Sequence, residues 1–195
     1  MNILRVTLLL LLVISSSPVL AESRDPFRQQ HFELPEKYRA EFGGYQKTYK
    51  RLSGFEYSGL HWGNFVVVYA THDSAAYRKN YFEFMKFLDF DEEDEEDEEL
   101  SINYQQYPVG AVIIKENYLD VGGLPKEPAS LTIMKKMPKG YDTKHGDWLY
   151  IQTSGDGKVI LEGKYDDPTV FKVCSDCHGN IMERDYIFST FYIVN

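Results

Sequence analysis

The only two cysteines of the chain stand in Cys174-Ser175-Asp176-Cys177-His178, and residue types in that order can divide one task among them. Two thiols spaced C-x-x-C and followed at once by an imidazole form the arrangement of covalent c-type haem attachment. The thiols add across the two vinyl groups of the porphyrin to make thioether bonds, and the adjacent histidine is held under the iron as its proximal ligand. Two other chemistries use the same letters. A disulfide or thiol-oxidoreductase pair leaves His178 without a task, and no βαβ pattern of the thioredoxin kind surrounds it. A zinc site needs a fourth ligand, and His31, His61, His72 and His145 show no paired spacing. The pattern points to one covalently bound haem c, with Cys174 and Cys177 as anchors and His178 on the metal.

The sixth iron position decides what such a group does. Electron carriers close it with Met or His, whereas gas-binding and catalytic haems leave it open. Met85, Met134, Met137, Met182 and the four other histidines are the candidates, and the sequence places none of them over the iron.

The rest of the chain must supply the pocket. Its 195 residues are 43% hydrophobic and 26% charged, the composition of one globular domain. With 21 basic against 30 acidic side chains the net charge is −9, which gives no footprint for gripping nucleic-acid phosphates. Fifteen Tyr and twelve Phe suit the walls of a pocket for a flat ligand. Arg5, the apolar run Val6 to Ile14, a Ser/Pro break and Val19-Leu20-Ala21 read as a secretory signal cleaved after Ala21. The apolar run is too short to cross a hydrocarbon core of roughly 30 Å. Residues 1–21 are therefore expected to be removed, and 22–195 to form a single domain in the periplasm or secreted, with no membrane attachment after cleavage. Covalent haem attachment, which takes place outside the cytoplasm, agrees with export.

Pro35 opens a helix that runs weakly toward Leu52 across Gly43-Gly44. Phe65 to Ala70 reads as a strand with Phe65, Val67 and Tyr69 on one face and Val66, Val68 and Ala70 on the other, both buried. Thr71 or Asp73 can cap the next helix, with apolar positions at Ala75, Tyr77, Tyr81, Phe84 and Leu88. Nine acids, Asp91 to Glu99, repel one another and are expected to form a solvated loop. That run lacks the glycine turn and alternating spacing of a calcium loop, although it could attract a basic redox partner. Gly110 to Glu116 is expected as a strand with Ala111, Ile113 and Lys115 on one face and Val112, Ile114 and Glu116 on the other. Leu131 to Met137 is a further strand. Trp148 to Thr153 and Val159 to Glu162 form a hairpin across Ser154-Gly155-Asp156-Gly157, and Tyr186 to Val194 is a last aromatic strand. The expected class is α+β: a mostly antiparallel sheet with two main helices packed on it and the haem held at the C-terminal motif.

Leu34-Pro35 with Tyr38, Val67-Val68-Tyr69-Ala70, Tyr107 through Glu116, Gly146-Asp147-Trp148, Cys174 through His178 and Asp185-Tyr186-Ile187-Phe188 occur in an order that resembles the cytochrome P-460 family over nearly the whole chain after the signal. The resemblance implies a mostly β homodimer with a five-coordinate haem c. One branch of that family oxidises hydroxylamine to nitric or nitrous oxide, passes electrons to a soluble partner, and carries a bond from a lysine amine to the haem rim. Lys115 occupies the matching position here. The other branch, cytochrome c′-beta, binds nitric oxide in an apolar distal pocket. The chain departs from the first branch twice. It has Phe65-Val66-Val67-Val68 where a basic residue often stands, and Thr169-Val170, with Asp166 and Asp167 further off, where an acid assists proton removal. Oxidising hydroxylamine requires protons to leave with the electrons, so an all-apolar pocket would favour gas binding. The expected function is hydroxylamine oxidation with Lys115 at the site, with nitric oxide binding and plain electron transfer as alternatives.

Overall fold

A computed structural model describes residues 27–71, 75–90 and 100–193; the expected signal 1–21, Asp73 and the acidic run 91–99 lie outside them. The fold is α+β and its sheet is antiparallel throughout. β1 (Lys50–Arg51) and β2 (Glu56–Ser58) pair one after the other along the same edge of β3 (Asn64–Ala70). β3 pairs with β4 (Val112–Asp120), β4 with β5 (Pro125–Lys136), β5 with β6 (Trp148–Ser154), and β6 with β7 (Val159–Gly163). Successive side chains on a strand point to opposite faces, and both faces of this sheet are covered.

On one face Val67, Tyr69, Val112, Ile114, Leu131, Ile133 and Ile151 pack against Phe32, Leu34 and the aromatic side of α1 (Glu36–Phe42) and α2 (Tyr45–Thr48). Gly43-Gly44 divides these two short helices, as the sequence indicates, with Gly44 at φ +72°. On the other face Val68, Ala70, Ile113, Met134, Trp148 and Tyr150 meet Ala76 and Tyr77 of α3 (Ala75–Asp89) and the C-terminal segment. No helix among the described residues is long and apolar enough to cross a membrane.

Three sequence expectations change. α3 forms where predicted, but its buried side is Ala76, Tyr77, Asn80 and Glu83. Asn80 exchanges hydrogen bonds with the backbone of Gln105 (2.7 and 2.8 Å), and Glu83 accepts from the Asn103 N–H (3.0 Å), so a neighbouring loop takes the place of apolar cover. Thr71 accepts the Val112 N–H (3.3 Å). Residues 186–193 contain no strand. The sheet edges are already held by β1, β2 and β7, and Tyr186, Ile187 and Phe191 fill the core from a wrapping segment whose Ile193 N–H reaches the Leu52 carbonyl (2.8 Å). β4 runs four residues beyond Glu116, so Lys115 is a mid-strand residue where the expected strand ended one position after it.

The neighbouring Glu116 is fully buried on the opposite face. Its carboxylate accepts hydrogen bonds from Tyr45 (2.6 Å), Tyr118 (2.8 Å), Tyr69 (3.4 Å) and Gln46. A buried donor left without its acceptor costs about 1–3 kcal/mol. Glu116→Leu strands three hydroxyls and an amide at once, so it is expected to cost about 3 kcal/mol or more in urea unfolding, with Glu116→Gln costing less.

Candidate functional site

Asp167 and Pro168 start the last helical run of the chain. The Asp167 side chain accepts the Thr169 N–H (3.0 Å), and Pro168 sits at the first helical position, where its missing N–H is harmless. A wide π turn over Phe171–Ser175 follows, then Asp176–His178 and a 3-10 stretch to Arg184. Positions i, i+3 and i+4 of a helix share one face, and Cys174, Cys177 and His178 accordingly line a single cavity. Both cysteines are free thiols. The run is pinned to the loop after β7 by Ser175, whose hydroxyl donates to the Tyr165 carbonyl (2.6 Å), and by Gly179, where any Cβ would collide with the Tyr165 hydroxyl.

A left-handed turn ends this run, with Asp185 at φ +54° and Tyr186 at φ +66°. It aims the Tyr186 carbonyl at His178 Nδ1, 2.5 Å away. A carbonyl can only accept, so Nδ1 carries the proton and Nε2 keeps its lone pair. Burial pushes the imidazole down to about 4, so the ring is neutral at ordinary pH. The turn is held by Asp185, which is 3% exposed. Its carboxylate accepts from Lys136 Nζ (2.6 Å to each oxygen), the Tyr107 N–H (2.7 Å) and Trp148 Nε1 (3.2 Å). Gly146 (φ +72°) passes so close that a Cβ there would strike Asp185 and Tyr186.

The cavity measures about 430 Å³, within the range of roughly 300–1,000 Å³ usual for small-molecule and cofactor sites. Val68, Ile113 and Met134 come from the sheet, Tyr77 and Phe84 from α3, and Phe188 from the wrapping segment. Lys115 projects from β4 into the same space. Lys115 shares its strand face with Ile113, as the alternation indicates, and its Nζ lies 3.0 Å from His61 Nε2, while His61 Nδ1 lies 3.0 Å from Ser58 Oγ. His61 belongs to the short 3-10 turn Gly59–His61 between β2 and β3. Burial, then the neighbouring Lys115 and His178, push His61 down to about 2. Burial also lowers the Lys115 amine to about 8 and raises the Cys174 thiol to about 11.

Of the sixth-ligand candidates, His61 and Met134 line the cavity. His31 pairs with Glu33 on the surface, His145 stacks on Tyr165 and bonds Asp142, and Met182 is 61% exposed. His72 lies outside the described residues. Asp166 sits 3.9 Å from His145, Asp167 caps its helix and Val170 is core. Among the described residues no carboxylate lines the cavity. Arg184 also lines the cavity and stacks on Phe84 (4.1 Å). The sequence offered His61 only as one of eight candidate iron ligands, not as a partner of Lys115, and Arg184 not at all. The start signal Asp167-Pro168 could have revealed the helix leading to Arg184, but nothing local marks the loop that carries His61. Among the described residues no three His, Cys, Asp or Glu side chains converge as a site for a bare metal ion.

Removing Asp185 leaves the Lys136 ammonium buried and unpaired, so Asp185→Ala is expected to cost about 3–5 kcal/mol in denaturant titration. No protein-family model and no curated protein matches the chain.

Proposed function

We propose that the chain holds one haem c, bonded through Cys174 and Cys177 with His178 Nε2 on the iron, and that it oxidises hydroxylamine. The observation that carries this reading is the convergence on one cavity of two free thiols, an imidazole whose tautomer leaves Nε2 free, and the polar pair Lys115 and His61. The residues fit the group. Its flat apolar ring suits the aliphatic and aromatic walls, and its iron needs one nitrogen lone pair from the chain. When bound, the haem supplies the metal that takes electrons from a small nitrogen compound.

The chain's own residues would do the rest. Tyr186 and Asp185 hold the His178 ring in one orientation. Both nitrogens of His61 are engaged by Ser58 and Lys115, and Met134 is packed into the sheet core beside Ile113 and Tyr150. Neither is presented as a free second ligand for the group, which favours a site open to small molecules over a sealed electron carrier. A second reading, reversible capture of nitric oxide in the manner of cytochrome c′-beta, is favoured by the apolar walls. It needs no proton acceptor, whereas hydroxylamine oxidation does, and Lys115 with His61 favours the first. Export, dimer formation and delivery of electrons to a soluble redox protein belong to the same proposal.

The test is expression in a host that matures c-type cytochromes. The expected product is coloured, keeps its haem on denaturation, and has a ferrous spectrum that changes on adding nitric oxide. It turns over hydroxylamine with an artificial electron acceptor. Colourless protein overturns the reading, and so does a low-spin ferrous spectrum indifferent to nitric oxide. His178→Ala is expected to abolish turnover. The His61 hydrogen bond favours a free Lys115 amine, so mass spectrometry of the holoprotein is expected to find the Lys115 peptide without haem. A haem-bearing peptide would instead establish the bond to the haem rim implied by the resemblance.

A further inference from the structure

We infer that Lys115, His61 and Ser58 form a proton relay that carries protons released by the substrate out of the cavity. This deepens the reading above and rests on it, and on Lys115 keeping a free amine. The geometry is a line of two hydrogen bonds, each 3.0 Å, from the cavity wall on β4 through His61 to Ser58 at the end of β2. Ser58 and His61 are partly open, and the residues beside them, Tyr57, Leu60 and Trp62, are 58%, 75% and 53% exposed. All three side chains line the cavity, and the line runs from its sheet wall to its rim, where Leu60 and Trp62 of the same loop are open to solvent.

Its direction follows from donor chemistry. A neutral lysine amine donates one hydrogen to His61 Nε2 and keeps its lone pair, so Nδ1 of the neutral imidazole bears the hydrogen and donates to Ser58 Oγ. A proton leaving an N–H or O–H of the substrate forms a bond to Lys115 Nζ. The ammonium so formed hands a proton to His61 Nε2 as the imidazole gives its Nδ1 proton to Ser58 Oγ and the serine hydroxyl releases its own to water, one concerted shift in which no imidazolium accumulates at a ring that burial keeps neutral. The haem, when bound, would take the electrons separately. The starting tautomer returns by exchange with water, to which the partly open His61 has access: Nε2 gives up its proton and Nδ1 takes one.

The other ionisable groups that face the pair are Tyr77 on α3, Tyr150 on β6, and Cys174, Cys177, His178 and Arg184 on the C-terminal run. None offers an alternative exit. The tyrosines are neutral because burial raises them far above their usual range, the thiols are consumed by attachment, His178 is the metal ligand, and Arg184 is permanently charged. With the amine held near 8, the relay gains its acceptor form as pH rises, and turnover is expected to climb through about pH 8.

The test follows two signals by stopped flow when hydroxylamine is added to oxidised holoprotein: the haem absorbance, and proton release reported by an indicator dye in weak buffer. In the wild type, release keeps pace with the absorbance change. In His61→Gln, whose amide can hold the Lys115 amine but cannot pass a proton on, and in Ser58→Ala, release is expected to lag the absorbance change at least tenfold. Release that keeps pace in both variants overturns the relay while leaving hydroxylamine oxidation standing. A haem-bearing Lys115 peptide also overturns it. Wild-type protein with no haem absorbance to follow overturns the functional reading and the relay together.

Discussion

A main-chain carbonyl has no proton to give, and that constraint governs the cavity. Because the Tyr186 oxygen faces His178 Nδ1, the ring has one available tautomer and its Nε2 must look into the pocket. Everything that fixes this oxygen fixes the imidazole: two consecutive left-handed residues, a buried carboxylate that takes hydrogen bonds from Lys136, Tyr107 and Trp148, and a glycine that leaves room for the turn. Left-handed backbone is unfavourable for ordinary residues. The Asp185 network holds the chain there by linking β5, β6 and the loop before β4 to one carboxylate.

The sheet supplies the opposing surface by using its two faces differently. Adjacent positions on β4 send Lys115 into the cavity and Glu116 into a nest of tyrosines among the N-terminal helices. Both charges sit away from bulk water, each with partners suited to it. Burial pushes Lys115 down and Glu116 up, in each case toward the neutral form. The amine facing the cavity can thus change its proton count near physiological pH, whereas the carboxyl serves as an acceptor that ties four N-terminal and sheet side chains together.

Strand alternation made much of this readable in advance. Lys115 beside Ile113, Glu116 opposite it, the Asp-Gly hairpin and the break at Gly43-Gly44 are all local patterns with a period or a turn behind them. The C-x-x-C-H spacing likewise shows itself within five residues. What could not be read was long-range. His61 reaches Lys115 across 54 positions, and its loop has no periodicity. Asn80 and Glu83 are buried because a distant backbone meets them, against the usual rule for polar side chains. Tyr186 to Ile193 has the composition of a strand, but composition does not reveal that the segment wraps across the core, with Tyr186, Ile187 and Phe191 packed into it.

The two buried polar side chains of α3 have a further consequence. Asn80 and Glu83 grip Gln105 and Asn103, so the chain is fastened on both sides of the excursion between the helix and β4. Because the entropic cost of closing a loop grows slowly with its length, extra residues there add little strain to fastenings already made. The two fastenings therefore hold α3 and the approach to β4 together, and with them the cavity wall that Tyr77 and Phe84 provide, whatever the length of chain between them.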